Sequence, residues 1–262
     1  MLAARRQAER ARQRRRRNLV LGAGGVVVAG LLLVVGINVF TGNSPSTAAG
    51  SLSPSASASA STGPSPCGTP TPPASAGQTK PTFANAPPMT IDTSKTYTAT
   101  FQTTCGTFTA QLLPKVAPIG VNNFVFLANK GFYDGLKFHR IVPNFVIQGG
   151  DPKGDGTGGP GYKFKIETST SQTFDSAGLL AYANSGPDTN ESQFFVTLAA
   201  TPNLNPSANG SYTIFGKVTK GLDVVQKIGS VPTVAGPACA PGDPPCSPTE
   251  PIFILKVTIA EK

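Results

Sequence analysis

The hydrophobic and polar positions along this chain change period several times, and each change marks an element. Residues 19–40 run for 22 positions without a charged side chain. That length matches the ~20 apolar residues an α-helix needs to cross a bilayer. Over 41–88 the pattern dissolves into Ser, Pro, Ala, Thr and Gly with almost no charge. Such a stretch has too little apolar surface to offset the entropy of ordering it, which predicts a solvated linker. Period-two alternation then begins. Residues 96–102 read as a strand, 103–106 as a turn, and Phe108, Ala110 and Leu112 as one face of a second strand. Val121, Phe124, Val125 and Ala128 follow at helical spacing, with Pro118 in the first turn and Gly131 just past the end.

From residue 137 to 216, short apolar runs alternate with Gly, Pro and Asn, as in antiparallel strands joined by functional loops. A second short helix is predicted over 222–228. The last strand places Phe253, Leu255, Val257 and Ile259 on one face and Ile254, Lys256 and Thr258 on the other. No internal repeat is visible. The pattern predicts a mainly β domain over 89–262, half-buried as in a sheet that closes on itself.

Charge changes the picture of the N-terminus. The net charge is +9, but residues 1–17 hold eight arginines and one glutamate, Glu9, and so carry +7 of it. Arginines beside a full-length apolar span mark the cytoplasmic side. The expected order is a basic cytoplasmic arm (1–18), a transmembrane helix (19–40), a linker (41–88) and a domain outside the cytoplasm (89–262), single-pass in the cell membrane. A cleaved signal peptide, cut after Thr47-Ala48-Ala49, is the competing reading, although its apolar region usually runs about 7–15 residues. The basic run has no recognition motif or interleaved aromatic, so nucleic acid is not an expected partner.

Cys67, Cys105, Cys239 and Cys246 all lie beyond the span, and an even count in an exported region points to disulfides. Four cysteines allow three pairings. Cys239 and Cys246 bracket a turn-rich loop and are expected to pair, leaving Cys67 to Cys105; Cys105 with Cys239 or Cys246 is the open alternative. The single histidine and these spacings support no zinc site. Gly154–Gly159 fits G-x-G-x-x-G, but Pro160 follows and no helix does, so a rim loop is expected rather than a dinucleotide site. Asn190-Glu191-Ser192 and Asn209-Gly210-Ser211 fit the short glycosylation pattern, which also arises by chance. No G-x-S-x-G exists for the histidine to serve.

Two stretches carry the chemistry: Phe138-His139-Arg140-Ile141-Val142-Pro143-Asn144-Phe145-Val146-Ile147-Gln148-Gly149-Gly150-Asp151, and Ala183-Asn184-Ser185-Gly186-Pro187-Asp188-Thr189-Asn190-Glu191-Ser192-Gln193-Phe194-Phe195. With Gly131-Phe132-Tyr133-Asp134-Gly135 and Phe215-Gly216-Lys217-Val218, in this order, they resemble the cyclophilin family of peptidyl-prolyl isomerases. The resemblance runs from about Tyr97 to Ile259, and several motifs in the right order are far more specific than any one. It implies a closed eight-stranded antiparallel barrel capped by two helices. It also implies catalysis of X-Pro bond rotation, with no covalent intermediate and no cofactor; the expected topology makes exported polypeptides the substrates. A fold that holds proline-containing segments without turnover is the alternative.

The resemblance assigns roles by position. Arg140 matches the catalytic arginine, and Gln148 the glutamine that orients it and contacts a substrate carbonyl. Phe145, Val146 and Phe195 match the apolar floor for the proline ring, with Val146 in place of the family's common methionine. Asn184 matches the residue whose backbone holds the position before proline, with Ala183 beside it, and Gln193 lines the adjoining subsite. His139 matches a histidine near the pocket; isomerisation needs no proton transfer, so structural hydrogen bonding is expected of it. Alignment on Leu204, itself expected at the pocket, puts Asn203 where many cyclophilins have tryptophan, and Tyr212 where they have a pocket histidine. Weak cyclosporin binding is expected from the lost indole.

Overall fold

The computed structural model describes residues 65–68, 70–169, 171–205, 211–239 and 244–262. The expected arm and membrane span lie outside the described residues, among which no helix is long and apolar enough to cross a membrane.

The first hairpin forms where alternation placed it. β1 (Tyr97–Thr103) pairs with β2 (Gly106–Leu112), with Phe101 opposite Phe108 and Ala99 opposite Ala110. The inward residues Phe101, Phe108 and Ala110 are fully buried, and the two rings stack at 4.5 Å between centroids. Helix α1 (Pro118–Asn129) follows. Ala117 supplies no side-chain cap. Glu167 caps it from a distant loop instead, its carboxylate accepting from Ile119 N–H at 3.0 Å and Gly120 N–H at 2.8 Å. Burial pushes the Glu167 carboxyl above its ordinary range, and the two helix N–H groups partly offset this. Gly131, at φ +64°, ends the helix in the left-handed conformation that glycine adopts without strain.

Eight strands form one antiparallel sheet: β10 (Ile254–Glu261), β1, β2, β7 (Ile214–Lys220), β5 (Leu179–Tyr182), β6 (Phe194–Thr197), β4 (Val146–Gly149) and β3 (Arg140–Val142), in that spatial order. Helix α2 (Leu222–Gly229) packs near β2 and β4. The expected strand count and helix pair are present, but no ladder joins the end strands β10 and β3. Segment 135–138 lies there instead, with Phe138 N–H donating to Ile252 O at 3.0 Å and Ile254 N–H to Leu136 O at 2.8 Å. The described architecture is therefore a half-barrel with two helices.

The last strand corrects one expectation. Ile254 is fully buried and Leu255 is 37% exposed, the reverse of the predicted faces. The register shifts between Gln102, opposite Lys256, and Thr103, opposite Ile254, leaving Leu255 without a partner. A β-bulge inserts one residue and so inverts the parity of everything on its far side. Val257 keeps its inward face while Ile254 joins it, three positions away.

Residues 70–88, expected as solvated linker, are mostly exposed but are fastened to the domain at several points. The Phe83 ring meets Phe126 edge-on at 4.9 Å, and its N–H donates to Pro160 O at 2.8 Å. Lys80 Nζ donates to Asp134 O. Cys67 is bonded to Cys105, and Asn122 of α1 accepts Thr90 N–H at 2.8 Å while donating to Pro88 O at 3.0 Å. Chain on both sides of the expected boundary at 89 is thus tied to the domain. One aromatic and one cross-link suffice because a proline-rich chain has less freedom to lose on docking.

Candidate active site

The strands that form the site are buried on both faces. On β5, Leu180 and Tyr182 face the main core, whereas Leu179 and Ala181 face a second cluster with Val146, Phe174, Phe195 and Ile214. On β4 and β6, Ile147, Phe194 and Val196 face the core while Val146 and Phe195 face that second cluster. Successive side chains of a strand point to opposite faces, so one continuous apolar run serves a core and a groove floor together. Phe195 is backed by Phe174 at 5.9 Å and meets Tyr212 edge-on at 5.6 Å.

Above this floor lies a groove of about 390 Å³. Arg140, Phe145, Val146, Gln148, Ala183, Asn184, Phe195, Leu204 and Tyr212 line it, bringing together residues spread over 72 positions of sequence. Gln193 lies in an adjoining polar recess of about 230 Å³ that also takes in Lys163 and Glu191. Asn184 is held by donating to Ser211 O at 3.0 Å and accepting Gly186 N–H at 3.2 Å.

Arg140 and Gln148 are direct partners in the β3–β4 register. The arginine Nη1 donates to Gln148 Oε1 at 3.3 Å, and Gln148 Nε2 donates to Gln193 Oε1 at 3.0 Å. Gln193 Nε2 then donates to Gly156 O and Gly158 O, both at 2.9 Å. The direction of this relay is not arbitrary. Backbone carbonyls only accept, so they fix the Gln193 amide nitrogen toward themselves and leave its oxygen for Gln148. Gln148 must then turn its own oxygen to the guanidinium, which only donates.

The carbonyls are presented by a loop wound around buried Asp151. Its carboxylate accepts from Lys153 N–H at 2.8 Å, Asp155 N–H at 3.1 Å and Gly156 N–H at 2.6 Å. Gly158 must be glycine, because a Cβ there would stand 2.0 Å from Asp151 Oδ1. The G-x-G-x-x-G look-alike is therefore a carboxylate-centred turn at the groove rim. Asp151 was missed as an organiser, although Asp-Pro-Lys-Gly is a turn signal in which the aspartate binds backbone ahead of it.

His139 corrects two expectations. It does not line the groove, and neither ring nitrogen has a hydrogen-bond partner among the described residues. Adjacent residues on extended chain point oppositely, so when Arg140 faces the groove His139 faces the interior. It is 5% exposed, and burial, with Arg140 beside it, pushes its pKa below 6.5 against the opposing pull of Asp151. Asn203 is exposed in a 3-10 turn (Pro202–Leu204) and does not line the groove. Pro237, Ala238 and Cys239 also line the groove, and sequence reasoning did not place them there. Cys239 is bonded to Cys246. Among the described residues no cluster of His, Cys, Asp and Glu could hold a metal.

The family model for cyclophilin type peptidyl-prolyl cis-trans isomerase/CLD matches residues 98–258. Peptidyl-prolyl cis-trans isomerase-like 1 of Neurospora crassa is 50% identical over 135 residues, covering 50% of this chain and 80% of the relative. Peptidyl-prolyl cis-trans isomerase B of Bacillus subtilis is 51% identical over 118 residues, covering 45% and 80%. A Cryptosporidium parvum cyclophilin type isomerase, solved in the presence of the dipeptide Ala-Pro, superposes with a TM-score of 0.55 at 31% identity over 63% of this chain and 99% of its own. With the groove, its apolar floor and its oriented arginine, these matches establish that the chain belongs to the cyclophilin-type peptidyl-prolyl cis-trans isomerase family and is an isomerase of that type.

Proposed function

We propose that Arg140 stabilises the twisted X-Pro bond, that Gln148 and Gln193 hold it in position, and that Phe145, Val146 and Phe195 seat the proline ring. Resonance sets a barrier of ~18–20 kcal/mol on the bond, so unaided exchange takes tens to hundreds of seconds. On twisting, C–N double-bond character is lost and the prolyl nitrogen gains a localised lone pair. A guanidinium placed there interacts with it more strongly than with the planar ground state, which is the condition for catalysis. Lowering the barrier by ~4 kcal/mol accelerates exchange about a thousandfold. No bond to the protein forms and no proton is transferred.

The observation that carries this reading is the one-way relay from two fixed carbonyls to the arginine. It orients the cation through two uncharged amides, each held by the next. In a protease-coupled assay the full-length protein should accelerate cis/trans exchange of an X-Pro peptide. Arg140→Ala should lose about a hundredfold or more with its far-ultraviolet dichroism unchanged. A variant as fast as the wild type would remove Arg140 from the mechanism.

Two finer parts of the reading are supported by sequence. The basic run beside residues 19–40 supports a single-pass, extracytoplasmic enzyme, which we place in a bacterial cell acting on exported polypeptides. Weak cyclosporin binding follows from exposed Asn203, because losing an anchoring aromatic commonly costs a binder 2 kcal/mol or more, about thirtyfold. Titration of the inhibitor into the isomerase assay checks it; nanomolar inhibition would overturn it.

A further inference from the structure

The groove floor is built by strands in the order β5, β6, β4, β3, and each delivers one part of the site. Ala183 and Asn184 follow β5, Phe195 lies on β6, Val146 and Gln148 on β4, and Arg140 on β3. β3 is the last strand of the row. Beyond it a small hairpin takes over: β8 (Thr233–Val234) pairs with β9 (Ser247–Pro248), and Thr249 N–H donates to Pro232 O at 2.8 Å. Ile141 N–H, one residue past Arg140, donates to Cys246 O at 2.8 Å and docks the hairpin on the edge of β3. Cys246 is fully buried, and its N–H donates both to Val234 O and to the Cys239 sulfur, each at 3.1 Å. The Cys239–Cys246 bond therefore ties the free arm of the hairpin to its docked arm. That tie sets Pro237, Ala238 and Cys239 against the groove on the side of Arg140 opposite Ala183 and Asn184.

We infer that this disulfide-held hairpin is the wall that reads the residues following the substrate proline. The inference rests on the isomerase reading above, with the residue before proline over Ala183 and Asn184. Neighbouring strands lie about 4.8 Å apart, so β5 to β3 is roughly 14 Å, which an extended peptide covers in about four residues. A peptide that enters over β5 and seats its proline on Phe195 and Val146 leaves over β3, and the second residue after proline meets the hairpin. What it meets is short and uncharged: a proline without an N–H, a methyl group and a disulfide. These three residues carry no charge of their own, so this surface favours a compact apolar side chain over a charged one.

The test compares kcat/KM of the full-length protein in detergent on X-Pro peptides that differ only at the second residue after proline. The wild type should favour leucine over glutamate there. Ala238→Glu places a carboxylate on the wall, and the ratio of lysine to glutamate peptide should rise about tenfold, the summed effect of one exposed attraction and one repulsion. Cys239→Ser with Cys246→Ser unties the arm, and the leucine-to-glutamate ratio should collapse toward one. If the double variant does not fold, Ala238→Glu decides alone, since its side chain points into an open groove. Ratios unchanged by Ala238→Glu overturn this inference while leaving the isomerase reading intact. Failure of the wild type to accelerate any of these peptides overturns both.

Discussion

At the scale of the residue, two histidine nitrogens and two glycine carbonyls show opposite ways of using burial. The carbonyls of Gly156 and Gly158 are satisfied by Gln193 and in return decide which way two amides and a guanidinium point. Among the described residues His139 is buried with no partner on either nitrogen, a setting that favours its neutral form. Burial lowers its pKa from the ordinary 6.5, and the nearby Arg140 charge lowers it further, while Asp151 opposes both. The unfolded chain takes up this proton at about pH 6.5, whereas the folded protein resists until lower pH. The His139 contribution to stability is therefore complete above 6.5 and is lost as pH falls toward the folded value. Thermal unfolding between pH 8 and 5 should show the wild type losing more stability below 6.5 than His139→Gln. Glu167 and Glu191, both pushed up by burial, act with the opposite sign in both proteins and cancel in the comparison. Parallel pH profiles would show that His139 accepts its proton in the fold without penalty.

At the scale of the element, the strap and the last strand show where one-dimensional patterns stop. The strap at 70–88 has a linker's composition, yet Phe83, Lys80 and the Cys67–Cys105 bond fasten it to the domain. Through the Phe83 N–H on Pro160 O it also reaches the loop that presents the two glycine carbonyls. The disulfide closes a sequence separation of 38 residues, for which loop-closure entropy gives on the order of 2–4 kcal/mol. Cys67→Ser with Cys105→Ser should lower the denaturant midpoint by that free energy with the unfolding slope little changed. A midpoint within experimental error of the wild type would mean that the strap is held by Phe83 and its hydrogen bonds alone. In β10, alternation gave the right strand but the wrong inner face near its start, because one unpaired residue, Leu255, resets the parity.

At the scale of the whole molecule, the chain divides between an N-terminal portion known from its charge and hydropathy and a catalytic portion known from its packing. The proposal drawn from the arginine cluster beside residues 19–40 is that the arm is cytoplasmic and the isomerase outside, still attached. Protease added to intact cells should remove the domain and leave the arm protected, and the protein should fractionate with membranes. A mature N-terminus near Gly50 would instead make 19–40 a removed signal sequence. An exported setting also suits the two disulfides, which would not persist in a reducing cytoplasm.

The sequence by itself determined the first hairpin, both helices and a mainly β domain, and its resemblance to cyclophilins pointed to groove residues from Arg140 to Phe195. Those features follow from local periodicity, or sit in contiguous motifs. Tertiary structure alone decided what depends on partners far apart in sequence. Glu167 caps a helix that begins 49 residues before it, and Gln193 takes its orientation from carbonyls at 156 and 158. His139 turns inward because Arg140 turns out, and residues 237–239 come to the groove because Ile141 and a disulfide hold their hairpin to its edge. A periodic pattern records which face of an element is apolar. It does not record which distant group will satisfy a particular donor, and that matching both aims Arg140 and brings residues 237–239 to the groove beside it.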